Sequence, residues 1–214
     1  MVIAIDGPAG AGKSTVARAV ADALGLTYLD SGAMYRCVAL AALRAGIDVD
    51  HSSAVGNLAR EIRIEFRGDR VVLDGADVTD EIRAADVTTA ASRVSVHPEV
   101  RAAMVARQRA LIATGDYAAE GRDIGTVVSP DAPLKVFLTA EPDERARRRA
   151  ADSGEPVDAG LAAQQARDAR DRDREHGALR PADDSVEIDT TGLDVPQVTE
   201  RVVALARDRG LVPG

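Results

Sequence analysis

This 214-residue chain has no tryptophan, only 2% aromatic residues, and lysine at only two positions, Lys13 and Lys135. Without large rings its core must come from Val, Leu, Ile and Ala, and a hydrophobic content of 45% supplies enough of them. One cysteine, Cys37, lies in the apolar run Cys37–Leu43. It excludes an intrachain disulfide and reads as a small core residue. The three histidines, His51, His97 and His176, are isolated and lack metal-ligand spacing. Neither a signal peptide nor a membrane-length apolar run is visible, so the expectation is a cytoplasmic protein with no membrane partner. The net charge is −8. That argues against nucleic acid as a partner, because phosphate backbones bind basic surfaces. It leaves room for a small anionic substrate in a local cluster of arginines, which carry nearly all the positive charge.

The chain does contain Gly7-Pro8-Ala9-Gly10-Ala11-Gly12-Lys13-Ser14-Thr15. It follows the apolar run Val2–Ile5, read as a buried strand. It precedes Val16, Ala17, Val20 and Leu24, which share one helical face. Strand, glycine-rich loop and helix form the setting in which G-x-x-x-x-G-K-[ST] cradles phosphates. Backbone N–H groups converge on phosphate oxygens, and the helix N-terminus adds partial positive charge. Lys13 is expected to reach the terminal phosphates and the Ser14 hydroxyl to face Mg²⁺. The expected ligand is a nucleoside triphosphate, ATP with Mg²⁺.

Strands are expected at Thr27–Leu29, near Tyr117–Ala119, at Leu134–Leu138 and at Val186–Ile188. Helices between them imply right-handed crossovers and a parallel sheet covered on both faces. The fold class is therefore α/β: a P-loop NTPase core with a parallel five-stranded sheet between helices. The pattern changes at residue 62, where Ile62, Ile64 and Phe66 alternate with charged residues before a Gly68-Asp69 turn and Val71-Val72-Leu73. This is hairpin chemistry, and residues 59–93 read as a small antiparallel insertion in a single domain of residues 1–214. Residues 142–151 and 158–176 read as charged helices around the breaker cluster Asp152–Pro156. The segment 145–175 is accordingly expected to be a lid. Asp194 is the expected cap of a last helix, 196–207.

In open α/β sheets ligands bind at the carboxyl edge of the strands. Asp30-Ser31-Gly32-Ala33-Met34-Tyr35-Arg36 follows the second strand, and Gly121-Arg122-Asp123 follows the strand near 117. A third group, Arg167-Asp168-Ala169-Arg170-Asp171-Arg172-Asp173-Arg174, mixes both signs of charge. That mixture suits arginines individually held by carboxylates better than a nucleic-acid groove. A lid bearing arginines matches phosphoryl transfer, where charge on the moving group must be stabilised and water excluded.

Together with Glu120–Thr126 and Asp77–Arg83, these motifs resemble the bacterial cytidylate kinase family along nearly the whole chain. The resemblance implies transfer of a phosphoryl group from ATP to CMP or dCMP, with Mg²⁺, an NMP-binding insertion and a helical lid. By position it assigns Ser31, Arg36, Arg122 and Arg167 to the acceptor phosphate and its surroundings. Ser92, Arg101 and Asp123 fall on cytosine, Asp171 and Arg174 on ribose and base, and Arg145 and Arg149 on the donor phosphates. Ser129 and Ala178 depart from the family pattern, which normally has an aromatic before Pro and a Pro-Leu pair. A monomer is expected, since no helix shows an extended exposed apolar seam.

Other P-loop readings imply different chemistry. A kinase acting on a sugar hydroxyl would need a positioned base and would leave the hairpin unexplained. A guanine-nucleotide switch would need an Asn-Lys-x-Asp motif, and Lys135, in Leu-Lys-Val-Phe, does not supply one.

Overall fold

The computed structural model describes residues 1–153, 169, 171 and 177–211. Two compact units emerge: residues 1–30 with 111–214, and residues 31–110. Among the described residues no helix is long and apolar enough to cross a membrane.

The first unit is built on five strands: β1 (Val2–Asp6), β2 (Thr27–Asp30), β6 (Tyr117–Gly121), β7 (Leu134–Thr139) and β8 (Val186–Asp189). Their spatial order is β2-β6-β1-β7-β8 and every pairing is parallel. β1 is buried throughout because it is paired on both sides, Ile3 facing Ala118 of β6 and Leu134 of β7. That explains an apolar run with no alternation. Helix α1 (Lys13–Leu24) packs against β6 and against the last helix, α7 (Val195–Asp208). Ile3, Ile5, Val16, Val20, Leu138, Val198 and Val202 form the core of this unit. Asp194 caps α7 as expected: its side chain accepts from Gln197 N at 2.8 Å, and the Gln197 side chain accepts from Asp194 N at 3.0 Å.

The strand expected near 117–119 is longer and more central than its composition conveys. It runs five residues and lies between β2 and β1. Ala118 and Ala119 are fully buried; they look weakly apolar because small side chains leave room for α1 to sit close. Helix α6 (Pro142–Ser153) fits the first predicted lid helix. Most of the second lies outside the described residues, where Arg167 and Arg174 also fall; the side chain of Arg149, on α6, is outside them too.

The second unit holds α2 (Ser31–Arg44), α3 (Ser52–Glu61), a 3₁₀ turn (Glu81–Arg83), α4 (Ala85–Val94) and α5 (Pro98–Ile112). Its sheet is antiparallel, with β3 (Ile64–Arg67), β4 (Arg70–Leu73) and β5 (Ala76–Asp77) in that order. Ile64 faces Leu73 and Arg67 faces Arg70 across the Gly68-Asp69 turn. β5 went unread in the sequence because two residues carry no periodicity. Met34, Cys37, Val38, Val55, Ile82, Val94 and Met104 form this unit's core. Cys37 is fully buried there, as its neighbours implied.

Candidate active site

In the first unit Asp6, Asp30, Gly121, Thr139 and Asp189 end their strands on the carboxyl edge of the sheet. The loop Gly7–Gly12 leaves that edge from β1 and enters α1 at Lys13. Its path requires glycine. Gly10 has φ +77°, and a Cβ there would lie 2.7 Å from the Arg145 carbonyl oxygen. The Lys13 ammonium, itself buried, donates to the Pro8 carbonyl at 2.8 Å. The loop thus holds the tip of its own lysine.

Arg145, from α6, is buried and lies along the same loop. Its Nη1 donates to Ala9 O at 3.1 Å and its Nε to Ala140 O at 3.1 Å. Arg148, a helical turn away from Glu144, donates to that carboxylate at 3.0 Å. Its other nitrogens reach the Thr190 hydroxyl at 2.9 Å and the Thr190 carbonyl at 2.7 Å. Thr190 Oγ1 lies 2.9 Å from Thr139 O and 3.3 Å from Ala11 O. Helix α6, the end of β8 and the phosphate loop are therefore joined through one buried hydroxyl.

Ser14 opens α1 and its hydroxyl donates to Glu120 Oε1 at 2.5 Å. Glu120 is buried near the end of β6 and also accepts from the Tyr28 hydroxyl at 3.0 Å. Burial, and then the charges of Glu120 and Asp30, push the Tyr28 phenol well above its usual range, so it remains a proton donor. Ser14 and Glu120 offer hard oxygen donors of the kind Mg²⁺ accepts beside a polyphosphate.

The segment after β6 bends over the start of the phosphate loop. Arg122 Nη1 donates to Gly7 O and its Nε to Asp171 Oδ2, both at 2.8 Å. Asp171 is almost fully buried, and the resemblance had placed it against ribose and base; here its carboxylate holds Arg122. Asp123 is buried. The chain then forms a π-helical turn, Ile124–Val128, closed by Val128 N to Asp123 O and Ser129 N to Ile124 O. Asp6 accepts from the backbone N–H groups of Ile124 at 2.8 Å and Gly125 at 2.7 Å. Its burial pushes the carboxyl up to about 7; those two bonds pull the other way, Asp123 adds to the rise and Lys13 opposes it.

In the second unit Ser31, Ser92 and Arg101 are buried and Arg36 is half-buried. Ser92 Oγ has no hydrogen-bond partner among the described residues. A buried hydroxyl of this kind is costly unless something else engages it.

Asp6, Arg148 and Thr190 carried no expectation from the sequence, and Glu120 appeared only as part of a motif. Asp6 had a readable signal, an acid closing a strand otherwise wholly apolar. Arg148 and Thr190 had none, and the partners that matter for these residues and Glu120 lie 42 to 179 positions away.

A family model described as cytidylate kinase matches residues 3–208. The chain is 47% identical to a cytidylate kinase of Geobacillus kaustophilus, over 97% of this chain and 96% of that one. It is also 47% identical to a cytidylate kinase of Mycobacterium avium, over 99% and 97% of the two chains. A solved gluconokinase from Sinorhizobium meliloti shares the fold, with TM-score 0.51 and 17% identity over 98% of this chain and 93% of that one.

Proposed function

Since this chain belongs to the cytidylate kinase family, we infer the parts its own residues play in moving a phosphoryl group from ATP to CMP or dCMP. The observation that carries the assignment is the Arg122–Gly7 hydrogen bond. It seats a cation of the acceptor motif directly on the loop that cradles the donor.

On the donor side, the backbone N–H groups of residues 7 and 9–15 and the Lys13 ammonium hold the β- and γ-phosphates. Arg145, already lying on this loop, adds positive charge, and Arg149 is assigned to the same task. Ser14, with Glu120 behind it, holds Mg²⁺. When bound, that ion neutralises charge on the β- and γ-phosphate oxygens.

On the acceptor side, Ser31, Arg36, Arg122 and Arg167 are assigned to the monophosphate. Ser92, Arg101 and Asp123 are assigned to cytosine, whose N4 amino group donates to a carboxylate and whose other polar edge atoms accept. The unpartnered Ser92 hydroxyl supports this. Asp171 and Arg174 complete the ribose and base contacts, with Asp171 also orienting Arg122.

No residue is assigned as a general base. A phosphate monoester has a second pKa of about 6 and is mostly dianionic at neutral pH. Its attack is limited by repulsion between two anions, which the lysine and the arginines offset while aligning them.

Turnover of ATP–Mg²⁺ measured across CMP, dCMP, UMP, AMP, GMP and hydroxyl acceptors tests the assignment. CMP and dCMP are expected to have the highest kcat/KM. Preference for AMP, GMP or a sugar hydroxyl would overturn it.

A further inference from the structure

We propose that Asp6 is a positioning residue for the acceptor, fixing the Arg122–Asp123 segment to the sheet through the backbone N–H groups of Ile124 and Gly125. The proposal rests on the acceptor roles inferred above for Arg122 and Asp123.

After Gly121 the segment leaves the parallel ladder, since its last paired residue is Gly121 opposite Asp6. Beyond it, the consecutive N–H groups of Ile124 and Gly125 donate to Asp6, one to each carboxylate oxygen. When Asp6 is ionised, each is a charge-assisted bond, about twice as strong as a neutral one. The Arg122 side chain also reaches Gly7, the residue after Asp6. Residues 122–125 are thus tied by backbone and side chain to positions 6 and 7.

A tight backbone fit guards the same bonds. A Cβ on Gly125 would lie 3.2 Å from Lys135 Cγ and Cδ and 3.4 Å from Asp6 Oδ2. The Lys135 stem has little room to yield, because the side chain is buried up to the ammonium that pairs with Asp184 at 2.8 Å. The fold also retains a carboxylate where burial works against its charge. A structural anchor alone has cheaper solutions, such as a neutral amide or hydroxyl.

The expected defect is selective. The donor loop has other supports: Lys13 to Pro8, Arg145 to Ala9 and Thr190 beside Ala11. Losing Asp6 should therefore displace the acceptor residues more than the donor loop.

The test is steady-state kinetics of Asp6→Asn with each substrate varied in turn, together with amide hydrogen exchange at Ile124 and Gly125. The amide side chain keeps the shape but sets an NH₂ group against a backbone N–H. The KM for CMP is expected to rise on the order of ten- to a hundredfold, with the KM for ATP within about threefold. The two amides are expected to exchange faster. Equal rises in both KM values, or an unchanged CMP KM, would overturn the proposal. If Asp6→Asn does not fold, Gly125→Ala strains the same bonds from the other side and must show the same split. Arg122→Ala runs in parallel. If it damages CMP use while Asp6→Asn does not, the anchor is wrong and the acceptor assignment stands. If Arg122→Ala leaves CMP use intact, the acceptor assignment itself has failed.

Discussion

Arg122 and Asp171 form an ion pair at 2.8 Å in which the carboxylate side chain is 1% exposed and the guanidinium 16%. The same guanidinium holds Gly7, so one arginine is oriented by Asp171 and by the phosphate loop at once. Removing one member of such a pair leaves the other buried without it, and this costs about 3 kcal/mol. Arg122→Ala is expected to fold with that loss of stability and to lower kcat/KM for CMP about a hundredfold or more. Chemical denaturation and kinetics check the two effects. In a double-mutant cycle with Asp171→Ala, the stability losses are expected to be less than additive.

Lys13→Ala removes the point charge at the heart of the donor loop. A fall in kcat on the order of a hundredfold or more is expected, with the fold intact by circular dichroism. A near-normal kcat would remove Lys13 from the chemistry.

Glu120→Gln keeps the shape beside Ser14 and Tyr28 but removes the negative charge. The Mg²⁺ concentration giving half-maximal turnover is expected to rise about tenfold or more, while the KM for CMP stays nearly constant. A magnesium titration at fixed ATP and CMP decides this.

Thr190→Val preserves volume but deletes the hydroxyl shared by Arg148, Thr139 and Ala11. A loss of about 1–2 kcal/mol in urea denaturation is expected, because polar partners are left buried. The KM for ATP should rise more than that for CMP, since the affected loop is the one assigned to the donor.

Asp6 makes stability depend on pH. Its folded pKa of about 7 lies above the ordinary carboxylate value of 3.8, so between these values the native state binds more protons than the unfolded chain. Stability from this group is present at low pH and lost as pH rises through about 7, with a slope of at most about 1.4 kcal/mol per pH unit. Urea midpoints of wild type and Asp6→Asn between pH 5 and 8 isolate it. The difference between the two proteins should shift steadily in favour of the variant as pH rises.

Much of this molecule is legible along the chain. The phosphate loop, the apolar β1, the hairpin around Gly68-Asp69 and the Asp194 cap depend on neighbours within a few residues, and there backbone sterics and side-chain period act directly. Weak local signals conveyed less. Ala118 and Ala119 look indifferent as a strand, yet they pair on both sides in the middle of the sheet, because a parallel ladder rewards burial and close packing over intrinsic propensity.

The site divides the same way. The assignment of Lys13 to phosphates and of Ser14 to Mg²⁺ follows from residue type and motif spacing, and that of Arg122 to the acceptor phosphate from the family resemblance. That Glu120 receives the Ser14 hydroxyl, that Asp171 orients Arg122, and that Asp6 anchors Ile124 and Gly125 needed the folded chain. Those pairs are separated by 106, 49 and 118 or 119 positions. A hydrogen bond depends on distances of a few tenths of an ångström, and only the packing of one strand beside another brings such distant residues that close.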